Sequence, residues 1–252
     1  MDKQRLIRLA AVALASAAFA GVVYAGEISR PVGVVELFTS QGCNSCPPAD
    51  AVFAELALRN DVVALAYHVD YWDYLGWKDT LASPENTARQ YAYMRAFGAR
   101  SVYTPQAVIN GRAHVNGAKG AAVNGKLKDL HGAGSGMSVG IKVTRSGESV
   151  KIEASDSVGP NTEAHVVLVY FDAPQAVEIP HGENTGKTVT YFNAVSDIQT
   201  AGMWHGKAAA YELPASEITK KDGCAVLLQS VGADGSPGPI LGAAVVNRPR
   251  AE

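Results

Sequence analysis

Hydrophobic and polar positions change period several times along the chain. Val32 to Phe38 is a β-rich apolar run, broken only by Glu36. Ala51, Val52, Phe53, Leu56 and Ala57 then recur at helical spacing, and Val62 to Val69 is again almost continuously apolar. A strand apolar on both faces is buried on both, so this strand–helix–strand unit predicts a right-handed crossover in a parallel sheet. Asp70 to Leu81 mixes aromatics and acids without a period and reads as a loop. Ser83-Pro84-Glu85 has the form of a helix start, with the helix stopping at Gly98. Gln106 to Asn110 reads as a strand, Asn110-Gly111 as a hairpin turn, Arg112 to Val115 as the returning strand, and Ala118 to His131 as a further helix.

Gly132-Ala133-Gly134-Ser135-Gly136 marks a boundary. Beyond it the texture is short, alternating and β-branched: Met137–Val143, Ser149–Glu153, His165–Phe171, Thr188–Phe192 and Ala225–Gln229. The expected organisation is an α/β domain over 30–131 followed by an all-β, sandwich-like domain over 135–250. Gly182 to Thr188 looks like a phosphate loop but has one spacer residue too few. It also runs into a strand rather than a helix, so it reads as a hairpin turn.

The 252 residues are 47% apolar and 18% charged with a formal charge of −2, and no block of like charge suggests a nucleic-acid surface. The start changes the picture more. Lys3, Arg5 and Arg8 precede an alanine-rich apolar stretch, and small-residue cleavage patterns end at Ala20 and Ala25. Residues 1–25 therefore read as a secretory signal peptide, which predicts a periplasmic or secreted protein with no membrane span after cleavage. In an oxidising compartment two close cysteines form a disulfide more readily than a zinc site. Three cysteines leave at least one without an intramolecular partner.

Cys43-Asn44-Ser45-Cys46 lies where the first strand gives way to the first helix. A free thiol has a pKa of about 8.5, and the positive end of a helix dipole favours the thiolate. Cys43 is the expected exposed attacker and Cys46 the buried resolving thiol. Pro47 and Pro48 carry no N–H, which leaves the Ser45 and Cys46 amides to hold the charge. A copper- or zinc-handling site built from Cys43, Cys46 and His68 is one alternative. A binding module with a merely structural disulfide is another.

A CxxC that follows a strand and opens a helix, with Thr104-Pro105 before a later strand, resembles the thioredoxin fold. That resemblance implies a cis proline beside the disulfide, with Thr104 and Pro105 presenting backbone to an extended peptide. The runs Val35–Asp50, Tyr67–Asp73 and Tyr103–Gln106 narrow it further. They resemble a secreted bacterial family designated domain of unknown function 1223 and assigned to the thioredoxin-like class. The expected fold is then a thioredoxin-like α/β domain followed by the β-sandwich. The expected activity is disulfide exchange with protein or peptide thiols, together with a redox partner and no cofactor beyond the Cys43–Cys46 disulfide.

The same resemblance implies a buried acid that moves the resolving thiol's proton. Glu36 is the candidate, although strand parity decides which face it occupies. His68 is expected to bond Asp70 or Asp73. Tyr71, Trp72, Tyr74 and Trp77 form either an apolar rim for clients or loop packing, and Cys224 reads as an inert core thiol.

Overall fold

The computed structural model describes residues 28–157, 163–232 and 234–247; the expected signal peptide at 1–25 lies outside them. In chain order the elements are β1 (Ile28–Ser29), β2 (Gly33–Thr39), α1 (Pro47–Ala57), β3 (Val62–His68), α2 (Pro84–Ala96), β4 (Gln106–Ile109), β5 (Ala113–Asn116) and α3 (Gly120–Gly132). Then come β6 (Ile141–Ser146), β7 (Ser149–Ala154), β8 (Ala164–Phe171), β9 (Gln175–Ile179), β10 (Lys187–Tyr191), β11 (Val195–Trp204), β12 (Ala209–Pro214), β13 (Gly223–Val231) and β14 (Pro237–Asn247). Two 3₁₀ turns, Asp73–Leu75 and Ala215–Thr219, complete the described set.

Local signals act as their chemistry dictates. β2 and β3 pair in parallel across α1, and β4 and β5 are antiparallel about Asn110-Gly111, both at positive φ. The Ser83 hydroxyl accepts from the Asn86 amide at the start of α2, and Gly98 follows its end at φ 63°. The first-half sheet runs β3-β2-β4-β5.

The expected fold class is corrected. The described chain is predominantly β, with 42% strand against 21% helix and only three α-helices, so the structure supports no thioredoxin-like α/β domain followed by a sandwich. The layers explain the difference. One face of the first sheet, through Val35, Leu37, Ala64 and Ala66, packs on Phe53 of α1 and Leu127 of α3. The opposite face, through Val34, Phe38, Leu65 and Tyr67, packs on Tyr93 of α2 and on Val167, Val169, Ala225 and Leu227 of the sheet β11-β8-β13-β14. That second sheet buries its far side against Val150 and Ile152 of a third, β1-β6-β7-β12. A continuous apolar strand records that both faces are covered, not whether a helix or a sheet covers them. β1 also crosses over, pairing with β6 more than a hundred residues later.

β9 and β10 form a two-stranded sheet that joins no other. This confirms the hairpin read at Gly182–Thr188. Among the described residues no helix is long and apolar enough to cross a membrane.

Candidate active site around the Cys43–Cys46 disulfide

β2 ends at Thr39, the chain turns through Ser40-Gln41-Gly42, and α1 begins at Pro47 with Cys46 as its N-cap. Proline is tolerated there because first-turn amides have no intrahelical acceptor. Cys43 and Cys46 are joined by a disulfide across this turn. Both are buried: Cys43 is 1% exposed and Cys46 0%, whereas Asn44 and Ser45 between them face solvent. The expected exposure of Cys43 is thus corrected for the oxidised state. The Cys46 amide bonds the Cys43 carbonyl at 3.1 Å, so of the two expected thiolate donors it is already engaged. The Ser45 hydroxyl lies 3.4 Å from the Cys43 sulfur.

Three loops meet this turn. The Trp72 indole N–H donates to the Thr104 hydroxyl at 2.8 Å, and Trp72 lies so close to Gly42 that a Cβ there would sit 3.1 Å from the Trp72 Cβ and 3.2 Å from its carbonyl oxygen. Trp72 therefore ties the Thr104-Pro105 loop, whose peptide bond is cis, to the CxxC loop. The main-chain N–H and C=O of Thr104 take no partner among the described residues. Trp77 donates to the Gln41 side chain at 2.8 Å, while the Gln41 amide donates to Asp79 at 2.7 Å. Of the expected aromatic rim, Trp72 and Trp77 act as struts and Tyr71 bonds Gln90; Tyr74 is 78% exposed.

Strand parity separates the buried acids. Val35, Leu37 and Thr39 point toward α1, so Glu36 points the other way. There it forms an ion pair with Arg89 at 2.6 Å and accepts from the Tyr93 hydroxyl, while Gln229 accepts from Arg89 at 2.9 Å and donates to Tyr93 at 2.8 Å. The structure does not bring Glu36 to the disulfide. A different buried acid, Asp50, lies four residues beyond Cys46 along α1, with one oxygen accepting from Thr39 at 2.7 Å. Its other oxygen is buried without a partner. Burial pushes Asp50 up to about 6; the His68 charge and the Thr39 bond only partly oppose that.

His68, on the α1 face of β3, is fully buried and pairs through Nδ1 with Asp79 at 2.8 Å. The expected structural bond exists, but its partner is Asp79. Asp70 instead accepts from Thr87, and Asp73 accepts from the Asp79 amide. Burial would lower His68, but the Asp79 and Asp50 carboxylates outweigh it and raise the pKa. Burial would raise Asp79; the His68 charge and the bonds from His68, Gln41 and Leu81 outweigh it and hold Asp79 below the usual carboxylate range. His68 Nε2 is buried without a partner, as is the hydroxyl of Tyr191, whose ring meets the imidazole edge to face at 4.7 Å.

Asn184, in the β9–β10 hairpin, escaped the sequence reading. Its side-chain amide donates to the carbonyls of Gln41 at 2.8 Å and Cys43 at 2.9 Å. No local signal announces a contact between residues 141 positions apart. Cys224 sits on β13 in the core between the second and third sheets, and burial pushes its thiol up to about 12. Among the described residues no three His, Cys, Asp or Glu side chains are arranged to hold a metal ion, and the two cysteine sulfurs are bonded to each other. The Cys43, Cys46 and His68 set of the metal alternative is therefore not brought together as a ligand cluster.

Similar proteins bear on fold and family. A crystal structure of an Agrobacterium tumefaciens protein superposes with a TM-score of 0.79 at 46% identity, covering 89% of this chain and 97% of that one. HBP35 of Porphyromonas gingivalis superposes with a TM-score of 0.58 at 12% identity, over 90% of this chain and 79% of that one, a likeness of fold alone. No curated protein matches the sequence. The profile of a family described as protein of unknown function, DUF1223, matches residues 34–229. This chain, with its disulfide at the head of α1, belongs to the DUF1223 family.

Proposed function

We propose that the protein is a thiol–disulfide oxidoreductase acting on protein or peptide thiols through Cys43 and Cys46. The observation that carries this reading is the disulfide closing the turn that leads into α1, at the N-terminal end of a helix whose dipole favours a thiolate. The basic-then-apolar segment at 1–25 supports export to an oxidising compartment.

Exchange follows from elementary sulfur chemistry. A client thiolate attacks the Cys43 sulfur in line, the Cys43–Cys46 bond breaks, and Cys46 leaves as a thiolate that takes up a proton. A second client thiolate then attacks the mixed disulfide and releases Cys43. The client loses two electrons and the cysteine pair gains them; a redox partner returns the pair to the disulfide. Each step also runs in reverse. Asp50, one turn along α1 from Cys46 and raised to about 6, is suited to exchange that proton near neutral pH. The Thr104 backbone, which Trp72 holds beside the CxxC loop, offers an N–H and a C=O to an extended client.

The test is catalysis of disulfide formation or reduction in a dithiol peptide. The native sequence should accelerate exchange, Cys43→Ser should abolish it, and Cys46→Ser should accumulate a mixed disulfide on Cys43. An uncatalysed rate with the native sequence would rule the activity out.

A further inference from the structure

A disulfide whose sulfurs are almost wholly covered cannot meet a client thiolate, because attack needs a free line along the S–S axis. Something seated on the CxxC loop must move, and the β9–β10 hairpin has the features of that element. It pairs only with itself, and most residues of its outer part, 181–190, are exposed. Asn184 is the exception at 1% exposure. Its side chain reaches into the protein and bonds the carbonyls of Gln41 and Cys43 together, while the exposed His181 ring lies 6.4 Å from that of Trp77. Lys187 donates to the Asn184 side-chain oxygen at 2.7 Å and so orients the amide with both N–H groups toward the loop. Gly182, at φ 80°, passes against Trp77, the same residue that braces Gln41. At the hairpin's base, Ile179 and Tyr191 are buried, and Asn193 bonds the Ala64 and Ala66 backbone of β3. The base is anchored in the core, whereas the tip's hydrogen bonds to the CxxC loop come from one amide.

We infer that Asn184 is a positioning residue that latches the β9–β10 hairpin over the CxxC loop, so that access of thiols to the Cys43–Cys46 disulfide requires release of this latch. The inference rests on the exchange reading above and adds to it an element that decides which thiols gain entry. The latch consists of two hydrogen bonds to neutral carbonyls. Its loss should raise the population of the open state by about tenfold, the factor that about 1.4 kcal/mol represents.

The experiment compares the native sequence with Asn184→Ala and Lys187→Ala, following reduction of the folded protein's disulfide by dithiothreitol together with amide hydrogen exchange over the hairpin. Asn184→Ala should speed reduction by about ten times and Lys187→Ala by about two to three times, with faster exchange confined to the hairpin tip. These rates should not track the urea midpoint, since a variant that merely lowered global stability would lose protection throughout. Unchanged reduction rates in both variants would overturn the latch, as would acceleration accompanied by loss of protection across all three sheets. Catalysed exchange of a dithiol peptide is scored separately. If the latch responds while no sequence catalyses exchange, the oxidoreductase reading falls and the latch stands.

Discussion

The first sheet carries a buried charge cluster on each face, and the two differ in how their carboxylates are matched. On the α2 face, Glu36 is matched oxygen by oxygen: Arg89 holds one, Tyr93 the other, and Gln229 links both partners. On the α1 face, Asp50 has one oxygen without a partner, and His68 Nε2 and the Tyr191 hydroxyl are equally alone. Burying a polar group without a partner costs about 1–3 kcal/mol, so a fold tolerates such groups where they serve something other than stability. The matched carboxylate lies between two sheets, with the nearby Tyr67 hydroxyl the group left without a partner there; the unmatched one lies beneath the helix that carries the disulfide. Under the exchange reading proposed above, the first cluster serves architecture and the second serves the chemistry of the disulfide.

Changing Glu36 to Gln should have the largest effect. It leaves Arg89 as an uncompensated buried cation and should cost about 3–5 kcal/mol in urea unfolding, with the exchange rate per folded molecule unchanged. A loss of exchange in the folded variant would break the division of labour.

Asp50→Asn should move the other way. The Asp50 carboxyl titrates near 6 in the folded protein against 3.8 for the ordinary group, so ionising it opposes folding. The stabilisation from the protonated acid is complete below pH about 4 and is lost as the pH rises through about 6. The Asn variant should therefore gain about 2–3 kcal/mol above pH 7 and nothing at pH 4, as read from unfolding at the two pH values. Its exchange rate should fall and lose its inflection near pH 6. A variant destabilised at pH 8 would contradict the assignment.

The two tyrosines sharpen the comparison at smaller scale. Tyr93→Phe removes a hydroxyl joined to Glu36, Arg89 and Gln229 and should cost about 2 kcal/mol. Tyr191→Phe removes a hydroxyl without a partner among the described residues and should change stability by less than about 1 kcal/mol, if anything favourably. Equal costs in thermal unfolding would mean that the two faces do not differ as described.

The CxxC at a strand–helix junction, the hairpin at Asn110-Gly111 and the cap at Ser83 were legible because each is decided within a few residues. Which acid lies between the first sheet and α1 was not. Glu36 stands out as the only acid of its strand, yet the parity of Val35, Leu37 and Thr39 turns it away, and no loop residue between Thr39 and Cys43 can reverse that. Asp50 did carry a signal, since four residues separate it from Cys46 along a helix. Asp79 and Asn184 carried none: one comes from an aperiodic loop, the other from a hairpin in the second half of the chain. The fold class failed for a related reason. Apolar faces on β2 and β3 reveal burial, while the identity of the covering layer depends on strands more than a hundred residues away.

The reduction potential of Cys43–Cys46 separates an exchange couple from a structural crosslink. Equilibrating the folded protein in glutathione buffers and reading the fraction of oxidised pair by mass should give a value between about −120 and −270 mV, the range of exchange-active pairs. A value below about −300 mV, typical of structural disulfides, would contradict the account.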